Sequence, residues 1–470
     1  MMHRLIFYNA MYPAEKEPDH RKRIGGRKMR LHGIKIPHKK NTADCAPVRI
    51  EIPAVVTIPM SMHIGKPAKV IVKRGDTVKV GQLIGEADGF VSSAVHSSVS
   101  GTVQKVDEMT SSMGAKIPCV VIASDGKQEL YEEIRKPEVN DFSEFVTAVK
   151  ASGVVGLGGA GFPSFVKLSV KDLSKVQTVV INAAECEPYI TSDTRTMIDK
   201  GEYVFEGIGY LKKYMNVHHF IIGIENNKPE AIAKMKALAA EDDEVDVCVL
   251  PSQYPQGGEK VLVYNTVKRI IPKGGLPLDV GVIVINVTTL AFIAEYMEKG
   301  IPLVEKCITV DGSAVKEPKN VIAPIGTSIE DLINSAGGFR CDPAKVLYGG
   351  PMMGIAVPSL KEPILKNTNA IVAMDAKEAA PFKTTACIGC GACMNHCPLR
   401  LDPKAISRAY KLDDCEGLAE LCVDLCMECG CCSYVCPANR PLVQTNKLAK
   451  GKLRTYLTNK KAEQAKKEAK

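Results

Sequence analysis

At 470 residues, the chain is long enough for roughly three or four domains, and its 45% hydrophobic and 24% charged residues are ordinary for globular protein. The absence of tryptophan and the low aromatic content of 5% argue against an extended aromatic platform for nucleic acid. The net charge of +8 is confined to the two ends, because residues 1–40 contribute +8 and residues 447–470 contribute +7, which leaves −7 for the body.

The two basic ends are interpreted first as solvated tails, and second as segments that attach to an anionic membrane surface or an acidic partner. The most apolar stretch, residues 276–294, contains Pro277, Asp279 and Asn286, so no membrane-spanning helix is predicted. No secretory signal is predicted at the N-terminus, where residues 1–28 are interpreted as an extension. We therefore expect a cytoplasmic protein.

Residues 46–130 follow an extension and lead-in over residues 1–45, and short strands separated by glycine turns are predicted for them. The segment GDTVKVGQ at 75–82, with later Glu-Ala and Gly-Thr-Val phrases, resembles a biotinyl/lipoyl-type barrel-sandwich hybrid. In that family a modifiable lysine stands at the hairpin tip. Asp88, Gly89 and Phe90 occupy the tip here, so we expect a packing or docking module without a swinging arm.

Residues 135–302 alternate short apolar runs with helical patterns. The runs at 179–181, 219–223 and 281–285 are typical of buried parallel strands, and residues 229–240 are predicted to form a helix. This alternation predicts an α/β layer architecture.

Residues 303–365 return to a β pattern and fit a small β-grasp (SLBB-like) domain. Its helix is predicted to begin with Thr327 or Ser328 as N-cap and to end before Gly337 and Gly338. Residues 375–445 are predicted to form a cysteine-rich α-helical domain, and residues 446–470 a basic tail that is helical or disordered. The predicted fold class is therefore multidomain α/β plus β.

Eleven of the seventeen cysteines lie between residues 387 and 436, in two runs of the same spacing. The two runs, each followed by proline, are Cys387, Cys390, Cys393 and Cys397, and Cys426, Cys429, Cys432 and Cys436. Three thiolates, with two residues between each pair, lie on a tight loop that can wrap one cluster, and the spacing is that of bacterial ferredoxins. It predicts two [4Fe–4S] clusters, and in a long chain it indicates a reducing compartment.

The fourth cysteine of each run is expected to ligate the cluster of the other run, as in two-cluster ferredoxins. One cluster is therefore assigned to Cys387, Cys390, Cys393 and Cys436, and the other to Cys397, Cys426, Cys429 and Cys432. Zinc bound by Cys-x2-Cys pairs is the alternative. Cys415, Cys422 and Cys431 are interpreted as structural residues.

Glycine-rich and strand-end segments indicate a ligand site in the α/β region. The loop GLGGAGFP at 156–163 is either a tight turn or a cradle whose N–H groups approach a phosphate or a ring, with Lys167 adding positive charge. It lacks the spacing of the dinucleotide fingerprint. Asn182 and the acidic residues after it follow a strand, where ligands bind in α/β sheets, although a turn would also explain them. A second glycine loop at 254–260 carries Glu259.

Segments 156–163, 182–188 and 257–259 together resemble the flavin- and NADH-binding 51-kDa subunit family of respiratory complex I. The resemblance implies FMN and NAD(H) as ligands, with Glu187 and Glu259 at the catalytic centre. The residues implied to bind the cofactors are Gly156, Gly158, Gly159, Gly161, Phe162, Lys167, Asn182, Glu185, Gly257 and Asn286. Leu157 and Gly258 depart from the family pattern, which has an arginine and an acid at these positions.

The order of the modules, with the motif GGPMMG at 349–354, resembles the RnfC family of the Rnf complex, a membrane-bound ferredoxin:NAD oxidoreductase that pumps sodium ions or protons. The resemblance implies hydride transfer between NAD(H) and FMN, followed by one-electron relay through the clusters. It implies membrane and ferredoxin-like iron–sulfur subunits as partners, and a peripheral position on the cytoplasmic face of the membrane. Nucleic acid is not an expected partner. The alternatives are a soluble flavin/iron–sulfur reductase of a cobalamin or proline-reductase system, and a cluster-only electron conduit.

Overall fold

The computed structural model describes residues 32–112 and 114–468, which fall into two units. The larger unit comprises Ile36–Ser252 and Ile283–Pro381, and the smaller unit comprises the described residues up to Lys35, Gln253–Val282 and the residues from Phe382 onward. The predicted extension at residues 1–28 lies outside the described residues. Each unit is taken by itself below.

The larger unit begins with a barrel-sandwich hybrid, as predicted. After the short strand β1 (Val48–Arg49), its strands are β2 (Val55–Pro59), β3 (Lys69–Val70), β4 (Thr77–Val78), β5 (Leu83–Glu86), β6 (Val95–His96), β7 (Gly101–Thr110) and β8 (Lys116–Ser124). One sheet has the order β2-β8-β7-β4 and the other the order β3-β5-β6. Val56 and Ile58 alternate into the core, where they are fully buried with Ile84 and Ile122. Gly101 must be glycine because a Cβ there would lie 1.9 Å from the carbonyl oxygen of Ala123.

The hairpin tip of the barrel sandwich packs against the α/β region of the same unit. The Phe90 ring meets the Phe165 ring edge-on, with 6.2 Å between the centroids. A buried lysine joins the same parts, since Lys366 donates to Ser93 Oγ and to the carbonyl oxygens of Ala94 and Gly153. The packing role expected for this module agrees with these contacts.

An α/β sheet follows, again as predicted. Its elements and those of the connection before β12 are α1 (Phe142–Ala151), α2 (Ser164–Leu168), β9 (Thr178–Ala183), α3 (Ser192–Asp199), α4 (Gly201–Met215), β10 (Phe220–Glu225), α5 (Pro229–Ala239), β11 (Val245–Leu250), α6 (Glu259–Val267), β12 (Val282–Asn286) and α7 (Val287–Lys299). The strand order is β11-β10-β9-β12, and β9, β10 and β11 are parallel. The chain therefore adds β10 and β11 on one side of β9 and later adds β12 on the other side of β9. This change of direction creates a switch point between β9 and β12. Part of the connection from β11 to β12, Gln253–Val282, belongs to the smaller unit.

The β-grasp region contains β13 (Glu305–Asp311), β14 (Lys319–Pro324), α8 (Ile329–Ser335), β15 (Lys345–Tyr348), β16 (Ile355–Ala356) and β17 (Ala370–Met374). Its sheet has the order β1-β14-β13-β17-β15-β16, so β1 pairs here, in parallel with β14, although it lies within the predicted bounds of the barrel sandwich. Ser328 is the N-cap of α8 and accepts a hydrogen bond from the Asp331 N–H. Gly337 and Gly338 follow the helix with positive φ, as predicted.

The smaller unit contains the cysteine runs, most of whose cysteines lie in loops between short helices. These are α9 (Ala392–Asn395), α10 (Pro403–Lys411), α11 (Cys415–Glu420), α12 (Cys431–Tyr434) and the long α13 (Leu442–Glu468), which covers most of the predicted tail. Its core packs Leu401, Ile406, Leu418, Val423 and Leu453 together. Among the described residues, every helix is too short or too polar to cross a bilayer.

Candidate functional site

The switch point of the α/β sheet brings two predicted ligand residues to neighbouring strand ends. Asn182 lies near the end of β9, where its Oδ1 accepts from the Ala184 N–H, and Asn286 ends β12. Lys167 on α2 reaches the same region, because its Nζ donates to the carbonyl oxygen of Val284 at 3.2 Å. Ligands of α/β sheets bind outside the strand ends at such a point.

The glycine loop 156–162 is closed by a hydrogen bond from the Gly156 N–H to the Phe162 carbonyl at 2.8 Å. Leu157 is buried, and its N–H donates to Thr289 Oγ1 while its carbonyl accepts from Lys306 Nζ. The leucine that departs from the family pattern is thus an internal anchor of the loop. Asn367 holds the next turn by donating to the carbonyl oxygen of Gly159 at 3.0 Å.

Two neighbouring glycines of this loop have different surroundings. A Cβ on Gly158 would lie 2.2 Å from Asn286 Nδ2, so Asn286 packs directly against the loop backbone. A Cβ on Gly159 would meet nothing within 4 Å among the described residues, and Gly159 is exposed. The loop therefore has one face fixed by protein and one face open to a ligand.

Asn286 is oriented by a buried carboxylate. Its Nδ2 donates to Asp193 Oδ2 at 2.9 Å, and its Oδ1 accepts from the Thr289 N–H at 3.0 Å. Thr288 Oγ1 also donates to Asp193. Burial raises the pKa of Asp193, and these hydrogen bonds oppose the shift.

The carboxylate of Glu185 is directed to the N-terminus of α3. It accepts from the Asp193 N–H at 2.6 Å and from the Thr194 N–H at 3.2 Å, as a helix cap does. Lys40 crosses the same strand end and donates to the carbonyl oxygens of Glu185 and Glu187, both at 2.8 Å. Burial lowers the pKa of Lys40 to about 8.

Glu187 holds the loop that follows β15. Its two carboxylate oxygens accept from the N–H groups of Met352 at 3.1 Å and Met353 at 2.8 Å. Gly350 allows this approach, because a Cβ there would lie 2.2 Å from Glu187 Oε2. Burial raises the pKa of Glu187 to about 7, although the two N–H donors and Lys40 favour the charged form.

This pKa predicts a pH-dependent stability. Between pH ~4.5 and pH ~7 the folded protein retains a proton on Glu187 that the unfolded chain releases, so stability falls as pH rises through this window. We expect Glu187→Gln to flatten that fall, by up to about 3 kcal/mol for a pKa raised from 4.5 to about 7. Melting curves at pH 5, 6, 7 and 8 measure the effect. Exposed Glu51, changed to glutamine, is the control, and an unchanged slope in Glu187→Gln would contradict the assignment.

Gly257 and Glu259 lie in the smaller unit, beside the second cysteine run. Glu259 begins α6, and a Cβ on Gly258 would lie 2.1 Å from the terminal methyl carbon of Met427. The second departure from the family pattern therefore has a packing reason. The fully buried Tyr254 also donates its hydroxyl hydrogen to the carbonyl oxygen of Cys429 at 2.7 Å.

The eight predicted cluster cysteines line two separate cavities. The first cavity has a volume of about 390 Å³ and is lined by Cys387, Cys390, Cys393 and Cys436. The second is only about 20 Å³ and is lined by Cys397, Cys426, Cys429 and Cys432. Each set combines three cysteines of one run with the last cysteine of the other run.

The donor atoms around both cavities are cysteine sulfurs, which are the ligands of iron–sulfur clusters. Thiolates ligate such clusters, and burial raises the pKa of the Cys397 and Cys432 thiols to about 12. Among the described residues, no group of three or more His, Cys, Asp or Glu side chains is placed to hold a single metal ion. The four thiols around the first cavity leave room for a multi-atom cluster. A single zinc ion would instead need all four sulfurs at a Zn–S distance of about 2.3 Å.

Cys431, interpreted as structural, is buried to 1% exposure beside the second set. Burial and its hydrogen bond with the Cys429 thiol raise the pKa of Cys431. Cys422 is also buried, and its sulfur accepts from Lys273 Nζ at 3.1 Å.

Several residues that shape the site escaped the sequence motifs. They are Lys40, Asp193, Thr289, Lys306 and Asn367, which bind the strand ends and the glycine loop. They share no sequence signal, since Lys306 lies in an apolar segment whereas Lys40 and Asp193 lie among other polar residues. In a single sequence, buried polar residues and surface residues look alike.

Four family models match the chain in the order of its modules. They are an RnfC barrel-sandwich hybrid domain at 29–127, a Nuo51 FMN-binding domain at 149–295, an SLBB domain at 307–356 and a 4Fe-4S binding domain at 380–400.

Curated relatives extend this likeness over most of the chain. The C subunit of the proton-translocating ferredoxin:NAD(+) oxidoreductase complex of Clostridium ljungdahlii is 42% identical over 78% of this chain and 81% of its own length. The Na(+)-translocating counterpart of Acetobacterium woodii is 41% identical over 82% of this chain and 88% of its own length. The chain belongs to the RnfC family. The C subunit of the ion-translocating oxidoreductase complex of Rhodobacter capsulatus, at 38% identity over 88% of this chain and 81% of its own length, is a further member.

Membership of the RnfC family accounts for both candidate sites, one in each unit. The Nuo51-type domain contains the switch point and the glycine loop, and the 4Fe-4S domain contains the first cysteine run. FMN and [4Fe–4S] clusters are thus the cofactors of this chain. The structure also aligns with an NAD+-reducing [NiFe]-hydrogenase in the H2-reduced state, at TM-score 0.44 and 20% identity over 62% of this chain and 52% of that chain.

Proposed function

We propose that this RnfC protein transfers electrons between NAD(H) and ferredoxin, with ferredoxin acting through partner subunits that couple the transfer to Na+ or H+ translocation. The observation that carries the proposal is the convergence of eight thiols on two cavities in a chain that also has a glycine loop at a sheet switch point. Bound FMN would accept two electrons together and release them singly.

The residues have separate tasks in this proposal. The open side of the loop at Gly156, Gly158, Gly159 and Gly161 receives the flavin, with Lys167 supplying positive charge and Asn182 and Asn286 supplying polar contacts. Phe162 and Glu187 face the nicotinamide nucleotide. Glu185 shapes the strand end through its cap on α3, and Gly257 and Glu259 belong to the second glycine loop. The eight thiolates hold the clusters in the two sets given above.

The proposed domains are those of the sequence prediction, with the barrel sandwich at 46–130, the flavin domain at 135–302, the β-grasp at 303–365 and the cluster domain at 375–445. The partners are the other subunits of the complex. Through them the chain would sit peripherally on the cytoplasmic face of the membrane, and its basic ends would add electrostatic attraction to anionic lipid.

Anaerobic purification followed by stopped-flow mixing with NADH tests the proposal. We expect about eight iron atoms and one FMN per chain, and flavin bleaching that precedes bleaching of the cluster absorbance. Clusters without flavin, and no bleaching by NADH, would instead establish the cluster-only conduit. Full reduction by NADH without co-purification of membrane flavoproteins from the native host would favour the soluble reductase.

A further inference from the structure

The two sets of cluster thiols differ in their electrostatic surroundings. Among the described residues, no acidic side chain lines the first cavity, and no charged side chain lines the second. Both cavities belong to the smaller unit, so the difference lies within one unit. The first cavity has four cations in its lining, namely Lys404, Arg408, Lys411 and Arg440.

These four cations have no carboxylate partner within the part of the unit that the structure describes. Lys404, Arg408 and Lys411 lie on α10 at intervals of four and three residues, so they share one helix face, and all three are exposed. Arg440 donates to the carbonyl oxygen of Thr385 at 3.5 Å. The ion pairs described for this unit involve other lysines, namely Lys447, Lys450, Lys452 and Lys460.

Other charges near the thiols do not cancel this difference. Asp402 acts on the first set, because burial and this carboxylate raise the pKa of Cys393. Asp402 is also the N-cap of α10, where its negative charge is partly offset by the helix N-terminus. Near the second set, Lys450 donates to the carbonyl oxygen of Cys426, and Glu428 pairs with the same lysine. The first set therefore has the greater excess of positive charge.

Hydrogen bonds to sulfur act in the opposite sense, because they favour the second set. The Leu401 N–H donates to Cys397 Sγ at 3.4 Å, and Asn446 Nδ2 donates to Cys426 Sγ at 3.5 Å. Such bonds stabilise added negative charge on a cluster. Each of them contributes a dipole, whereas each cation contributes a full charge, whose interaction falls more slowly with distance. We therefore expect the four cations to outweigh these hydrogen bonds.

We propose that Lys404, Arg408, Lys411 and Arg440, here called the rim cations, make the centre at the first cysteine set the more readily reduced of the two. The proposal rests on the proposed function, because it needs a cluster at each set. Reduction adds one electron to a centre from an external donor such as dithionite, and no bond forms or breaks. Neighbouring cations stabilise the added negative charge and so raise the reduction potential. An electron shared between the two centres resides mainly at the first.

A redox titration of the anaerobically purified full chain, followed by electron paramagnetic resonance, tests the rim cations. The variant Cys397→Ala/Cys429→Ala removes two thiols of the second set, so the signal that remains belongs to the first. We expect Lys404→Met/Lys411→Met to make reduction of the first centre about tenfold less favourable, which is about 60 mV, and to shift the second centre less. Added salt should narrow the gap between the two potentials, because exposed charges are screened.

Two control variants separate charge from other effects of substitution. Lys404→Arg/Lys411→Arg keeps both charges and should keep the wild-type potentials. Arg454→Met/Lys461→Met removes two charges from exposed positions of α13 and should also leave both potentials unchanged.

Three results would overturn the proposal. They are a first centre that is reduced at a lower potential than the second, unchanged potentials in Lys404→Met/Lys411→Met, and an equal shift in the α13 control. Iron analysis of each variant shows whether both clusters are assembled. Protein without clusters would refute the proposed function, whereas complete clusters with the opposite order of potentials would refute the role of the rim cations alone.

Discussion

Replacing Cys397 and Cys429 together by alanine should remove one cluster, whereas replacing Cys390 and Cys397 together should remove both. Cys397 and Cys429 come from different runs but line the same cavity, and Cys390 and Cys397 come from one run but line different cavities. We expect iron to fall from about eight atoms per chain to about four in the first variant and to nearly none in the second. Iron and sulfide analysis with electron paramagnetic resonance after reduction measures the result.

The opposite outcome has an equally clear meaning. If each run held its own cluster, the pair Cys390 and Cys397 would cost one cluster and the pair Cys397 and Cys429 would cost both. The control is Cys341→Ala, which removes an exposed thiol that belongs to neither run. Tightly bound zinc in place of iron in the wild type would refute the cluster assignment itself.

Changing Gly159 to alanine should abolish most FMN binding while leaving the protein folded. The added methyl group meets nothing within 4 Å among the described residues, so it should alter stability by less than about 0.5 kcal/mol. It would project into the space proposed for the flavin, and we expect at least a tenfold loss of affinity, which corresponds to about 1.4 kcal/mol. Flavin content after purification, FMN titration and melting temperature measure the two effects separately.

Two other glycines bracket this experiment. Gly158→Ala places its methyl group against the Asn286 amide and should lower stability as well as flavin content. Gly209 lies on α4, where an added Cβ also meets nothing within 4 Å among the described residues. Gly209→Ala should therefore leave the flavin content unchanged and should not lower the stability. Wild-type flavin content in Gly159→Ala would place the cofactor elsewhere.

Much of the architecture was predictable because local signals agree with the fold. The three apolar runs of the α/β region became β9, β10 and β12, and Ser328 caps its helix as its neighbours indicate. The pairing of β1 with β14 was not predictable, because two residues carry too little pattern to show which sheet they join. The grouping of Gln253–Val282 with the cysteine runs likewise depends on contacts far apart in sequence.

The candidate site was predictable in its residue types and less so in its connections. The spacing predicted the two cysteine runs, and the exchange of the fourth cysteine between them was expected from the pattern of two-cluster ferredoxins. The roles of the Glu185 and Glu187 carboxylates, one on a helix end and the other on the Met352 loop, depend on tertiary contacts. Leu157 and Gly258 replace the arginine and the acid of the family motif. In the structure each of the two residues has a contact that explains its presence.

The excursion of the chain between β11 and β12 limits how this protein can be divided. Tyr254 and Gly258 lie in that excursion and contact the Cys429 carbonyl and Met427, so the cysteine runs depend on residues more than a hundred positions upstream. A protein fragment that starts at residue 382 would lack both contacts, and the side of the second cavity at Met427 would be exposed to solvent. The C-terminal region is therefore not an independent ferredoxin-like domain. Fusing it alone to another enzyme should give an electron carrier of low stability.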